Sequence, residues 1–160
     1  MVLAADGIDY GADLKMLRER YVSATPRKRL SIIRQRLEDH HFGANRLVTS
    51  VSAVEGLART LAMHEHVSSK AELGPLYPKY RYRKPEGLVR EYFLAKGIAD
   101  PAAHLKEDTW RLFGYAVEYR NLLAHECTYL GLQKFPSLIE ACEEVLAALV
   151  KLARIRGEDT

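Results

Sequence analysis

The chain has 160 residues, 48% of them hydrophobic and 28% charged, which is the size and balance of one packed domain and excludes a disordered chain. Its apolar runs are too short to span a bilayer, its start (Asp6, Asp9, Asp13) does not read as a secretory signal, and a net charge of +3 permits nucleic-acid binding without arguing for it. Two cysteines, Cys127 and Cys142, make neither a disulfide framework nor a metal quartet, so the expected setting is reducing and cytoplasmic.

Residues 1–10 are expected to form a loose tail. The spacing of Leu14, Leu17 and Tyr21 predicts a helix over 12–23. Thr25 and Pro26 supply a cap and a first-turn residue for a second helix, whose stripe is Leu30, Ile33 and Leu37 and whose end falls at His40 to Gly43. From about Asn45 into the high sixties, Leu47, Val51, Val54, Ala58 and Leu61 alternate four- and three-residue steps, the pattern of a central core helix. Glu55 lies on or beside that stripe, and burying it requires a partner such as an arginine.

The stretch GPLYPKYRYRKPEG, residues 74–87, holds three prolines, two glycines, three tyrosines and four basic side chains, and predicts an irregular connection. A short helix opened by Pro85 runs through Leu88, Tyr92 and Leu94 and ends near Gly97. Asp100 and Pro101 then open a helix over 102–123 with the stripe Leu105, Leu112, Ala116, Tyr119 and Leu123. After a connection around Tyr129 to Lys134, a last helix over 136–154 buries Leu138, Cys142, Val145, Leu149 and Leu152. No strand pattern or repeat intervenes. The expected architecture is a single all-α domain over 1–160, an up-and-down helical bundle with additional N-terminal helices, an irregular basic and aromatic connection, and two long antiparallel helices joined near residue 130.

One segment departs from ordinary helix texture: YRNLLAHE, Tyr119 to Glu126. Arg120, Asn121 and His125 bring a cation, an amide and an imidazole to a helix end. Asn121 and His125 share a face, whereas Arg120 stands about 140° round an ideal helix from His125. Such a trio suits cleavage of RNA by its own 2′-hydroxyl. An imidazole titrates near neutrality and can accept or donate the proton, a guanidinium grips the negatively charged phosphorane, and an amide orients either partner without adding charge. The chemistry needs no metal and no cofactor. A single histidine leaves one proton transfer unserved, and a two-fold dimer would bring a second. The alternative for Arg120 and His125 is capping of the helix C-terminus.

RNLLAH resembles the Arg-polar-x3-His motif of the HEPN (higher eukaryotes and prokaryotes nucleotide-binding) superfamily, a bundle of four or more helices with the motif near the end of the penultimate core helix. The resemblance implies a metal-independent endoribonuclease acting as a homodimer in toxin–antitoxin or antiviral-defence settings, with an antitoxin or nucleotidyltransferase as partner. It maps the catalytic roles onto Arg120, Asn121 and His125, and Glu55 onto a polar residue of an early core helix that faces the motif. Members paired with a nucleotidyltransferase continue as His-x-Tyr, with the tyrosine adenylylated; here Glu126 and Cys127 follow His125, and the first tyrosine is Tyr129.

Among the remaining candidates, Tyr80, Arg81, Tyr82, Arg83 and Lys84 interleave rings and cations as a single-strand platform does. The alternatives are a solvated loop pinned by its tyrosines or a short hairpin arm. Arg27, Lys28, Arg29, Arg34 and Arg36 read as a solvated helical face. Neither His40–His41 nor His64 with His66 has metal-ligand spacing, so no metal site is assigned. Tyr119 reads as core packing, Cys127 as an unassigned thiol and Cys142 as core. Besides the nuclease, two readings stay open: a non-catalytic nucleotide- or RNA-binding helical protein, and an accessory protein-interaction bundle.

Overall fold

The computed structural model describes residues 7, 9–38, 44–125 and 135–155. Most of the expected tail, the helix end at His40 to Gly43, the pair His40–His41, Cys127 and the connection Tyr129 to Lys134 lie outside the described residues. Among these there are eight α-helices and no strand, an all-helical bundle. None of the helices is long and apolar enough to cross a membrane.

The helices are α1 (Tyr10–Ser23), α2 (Pro26–Glu38), α3 (Ala44–His64), α4 (Leu73–Tyr80), α5 (Pro85–Ala95), α6 (Pro101–His104), α7 (Thr109–His125) and α8 (Phe135–Ala153), with a 3₁₀ turn at Lys70–Glu72 before α4. Helix α3 is the axis of the fold, packing against α2, α5, α7 and α8, while α7 and α8 pack on each other. Its stripe is buried as the spacing predicts: Leu47, Val51, Val54, Ala58 and Leu61 are all in the core. Phe113, Ala116 and Val117 of α7 and Leu138, Cys142, Val145 and Leu149 of α8 close around it. Burial pushes the Cys142 thiol up to about 12, so it behaves as a small apolar side chain.

Capping residues act where the sequence places them. Thr25 Oγ1 accepts from the Lys28 amide at 3.1 Å, and Asp100 Oδ1 from the Ala102 amide at 3.1 Å. Helix α5 ends in a Schellman arrangement, with the Ile98 amide on the Phe93 carbonyl at 2.8 Å and Gly97 at φ +83°.

Four expectations change. The helix predicted over 102–123 is broken: α6 ends at Leu105, whose extended backbone (ψ 165°) cannot continue a helix, and Asp108 reopens one as α7, its carbonyl accepting from the Leu112 amide at 2.9 Å. The Thr109 hydroxyl and Lys106 both bond Glu144 of α8, which fixes the break in place. The predicted irregular connection over 74–87 is mostly helix: Pro75 falls in the first turn of α4, where its missing amide costs nothing, and Pro78 is accepted inside the short helix at the loss of one backbone hydrogen bond. Only residues 81–84 remain a turn. Leu94 is exposed, since the buried face of α5 is Leu88, Val89, Tyr92 and Phe93. Leu17 is exposed too, because α1 lies out on α4 and not over the central core.

Candidate functional site

The motif helix is tied to the core helix by a carboxylate. Glu55 projects from beside the α3 stripe, and Arg120 Nη1 donates to its Oε2 at 2.6 Å. The two side chains are 21% and 16% exposed, so the pair is largely desolvated and each member depends on the other. The second oxygen of Glu55 accepts from Arg59 Nη2 at 2.7 Å, one helical turn along α3. Arg120 Nε in turn donates to Asn121 Oδ1 at 3.2 Å. The partner that a buried Glu55 requires is therefore present twice over. Capping does not describe Arg120, whose guanidinium turns to α3.

Arg59 extends the network. Its Nε donates to the Tyr80 carbonyl at 3.2 Å and its Nη1 to the Tyr21 hydroxyl at 2.9 Å. Arg29 Nη2 donates to the Tyr21 carbonyl at 2.6 Å while the guanidinium lies 4.0 Å from the centre of the Tyr21 ring. Helices α1, α2, α3, α4 and α7 thus meet through one set of polar contacts. Arg29 is only 8% exposed, which corrects the expectation that the basic residues from Arg27 to Arg36 form a solvated face. It lies beside Leu30 and shares the burial of that stripe, whereas Arg27 and Lys28 stay exposed.

The electrostatics follow from the packing. Burial pushes the Glu55 carboxyl up, but hydrogen bonds and charge from Arg120 and Arg59 outweigh it and leave the group below its ordinary value. Burial pushes Arg59 down, and the Tyr21 hydroxyl with Glu55 more than restores it. Arg29 is held below its ordinary value by burial, with Tyr21 opposing and the Arg59 charge adding to the effect. Two guanidiniums hold the one carboxylate, and the third, Arg29, reaches the network through Tyr21.

Asn121 is exposed on α7 and Tyr119 packs partly buried against the core. His125 is the last residue of α7, one turn beyond Asn121; its side chain, with Glu126, Cys127 and Tyr129, lies outside the described residues. The five residues of the expected single-strand platform separate. Tyr80 is 3% exposed, with its hydroxyl on Glu91 Oε1 at 3.3 Å, so its ring belongs to the core. Arg83 lies over that ring and pairs with Glu91 at 2.6 Å. Tyr82 is 82% exposed with the Arg81 guanidinium 5.0 Å from its ring centre, and Lys84 is an exposed residue preceding α5.

Sequence reading missed Tyr21, Arg29 and Arg59. Only Arg59 carried a signal, the Glu-to-Arg spacing of four on one helix. Among the described residues no group of three or more His, Cys, Asp and Glu is placed to hold a metal ion. No protein-family model, curated protein or solved structure matches the chain.

Proposed function

We propose that the protein is a HEPN-like, metal-independent endoribonuclease that cleaves single-stranded or loop RNA by transesterification. The observation that carries this reading is the Glu55–Arg120 pair at 2.6 Å: a half-buried carboxylate on the core helix holds the motif arginine beside Asn121, at the end of the helix that closes on His125. Among the described residues no partner engages the Arg120 Nη2, which is left to meet a phosphate oxygen.

In the reaction the 2′-oxygen attacks phosphorus and the bond to the 5′-oxygen breaks, giving a 2′,3′-cyclic phosphate and a 5′-hydroxyl. His125 of one protomer takes the 2′-proton, and His125 of a second protomer protonates the leaving oxygen. Arg120 stabilises the charge that builds on the phosphorane, and Asn121 sets its angle. A two-fold homodimer with both motifs in one cleft supplies the two histidines. Tyr115 and Leu122, both exposed on α7 beside the motif, suit the rim of such an interface. A toxin or antiviral-defence role in the cytoplasm, restrained by an antitoxin or nucleotidyltransferase, goes with this activity.

The test is cleavage of a labelled RNA in excess chelator. The wild type releases cyclic-phosphate products, a 2′-deoxy substitution at the scissile position blocks them, and His125→Ala lowers the rate by about 10²–10⁴-fold. Equal inactivity of wild type and variant sinks the proposal. A second reading, a non-catalytic RNA- or nucleotide-binding protein, draws on the commitment of two Arg120 nitrogens to protein partners. It is favoured if RNA binds, is not cut, and is released by Arg120→Ala.

A further inference from the structure

Away from the motif, α1 and α4 enclose an open groove of about 630 Å³, within the range of ligand-binding clefts. Its floor is Leu73, Tyr77 and Pro78, and its walls carry Lys15 and Arg18 from α1, Lys70 from the 3₁₀ turn and Arg81 from the turn after α4. Glu19 is the one carboxylate lining it. Among the described residues none of these four cations forms an ion pair, although seven other lysines and arginines do. Four cations against the one carboxylate, around an apolar floor, leave a net positive field, which selects a polyanion with flat apolar parts.

We infer that this groove binds single-stranded RNA, with phosphates on Lys15, Arg18, Lys70 and Arg81 and a base stacked on the exposed Tyr82. RNA fits better than an acidic peptide because an exposed ring, Tyr82, follows the groove-lining Arg81. The Arg81 guanidinium lies over the Tyr82 ring, 5.0 Å from its centre, and the ring stays 82% exposed, a pairing of cation and aromatic of the kind that holds nucleotides without sequence preference. The groove is also wired to the motif. The Tyr77 ring in its floor meets the Tyr21 ring edge-on at 5.8 Å, Tyr21 accepts from Arg59, and Arg59 shares Glu55 with Arg120. The inference deepens the nuclease reading, since the groove grips substrate flanking the cut.

The test measures binding of a short 2′-O-methyl oligoribonucleotide, which cannot be cleaved by its own 2′-oxygen, to the full chain across a salt series. A variant with Lys15, Arg18, Lys70 and Arg81 all changed to Ala should bind at least tenfold more weakly and lose roughly three units of log–log salt slope, about 0.7 per phosphate contact. Tyr82→Ala should weaken binding at least fivefold with the slope unchanged. Lys106→Ala, an exposed lysine elsewhere, is the control and should bind as the wild type does. A four-fold variant that keeps its helical circular dichroism, its affinity and its slope overturns the inference. So does poly-glutamate that displaces the oligonucleotide as well as unlabelled RNA does. Cleavage is read separately on a dinucleoside monophosphate, whose single phosphate the motif occupies. Cleavage of that dinucleotide by the wild type therefore tests the motif independently of the groove. A wild type that cuts no RNA yet binds through the four cations retains the groove and removes the nuclease.

Discussion

Glu55 holds two arginines at once, and that single residue links the stability of the bundle to the placement of its motif. Its carboxyl titrates below its ordinary value in the folded chain. The contribution to stability is therefore complete above the unfolded carboxyl value of about 4.3, and it is lost as pH falls through the lower folded value. Melting temperature should drop more steeply for the wild type than for Glu55→Gln between about pH 5 and pH 2, the two curves converging at the acid end. A wild-type curve parallel to that of the variant refutes the linkage. At neutral pH, Glu55→Ala should cost roughly 3 kcal/mol in chemical denaturation, the lower end of the range for breaking a desolvated ion pair. The charge at position 55 was legible as a conflict, an acid on an apolar stripe that needs an arginine. Arg59, one turn along the same helix, carried a local signal, whereas the spacing gave none for Arg120, which is brought there only by the packing of α7 on α3; only the resemblance set Glu55 facing the motif.

At the scale of the element, helix ends show what local sequence controls. Helix α5 ends on Gly97 at φ +83°, where glycine is at ease, and α8 ends the same way on Arg154 at φ +53°. There the Ile155 amide bonds the Val150 carbonyl at 3.3 Å and the Arg154 amide bonds that of Lys151 at 3.1 Å. A side chain in the left-handed region costs about 1–2 kcal/mol. Arg154→Gly should therefore raise the unfolding free energy by about 1 kcal/mol, and Gly97→Ala should lower it by about the same amount. Denaturant titration of both variants decides it, and an unchanged midpoint for either removes the argument for that end. The buried stripes of α3 and α8 and the caps at Thr25 and Asp100 were readable because periodicity and cap chemistry are local. The break between α6 and α7 was not. It depends on Glu144, more than thirty residues away, to bond Thr109 and Lys106, and a distant partner leaves no trace in a short window. Helix α4 was hidden because Pro75 and Pro78 both read as breakers, although Pro75 stands in the first turn and only Pro78 lies inside the helix.

At the scale of the whole molecule, the proposed nuclease raises the question of how one motif per chain would perform two proton transfers. A dimer that pools both copies in one cleft makes a stoichiometric claim. If each cut needs His125 from both protomers, a dimer with one altered histidine is as inactive as one with two. Wild type and His125→Ala chains, unfolded together and refolded, should then show activity falling as the square of the wild-type fraction. An equal mixture would retain about one quarter of the activity, against about one half if each protomer acts alone. Leu122→Asp separates assembly from chemistry. Leu122 is exposed on α7, next to Asn121 and outside the core, so the change leaves the fold intact while placing like charges where two copies would meet. Sedimentation should show a monomer and the cleavage rate should fall with it. A Leu122→Asp chain that stays active as a monomer, or a mixing curve that is linear, means that one protomer carries both steps, and the second proton donor must then be sought within a single chain.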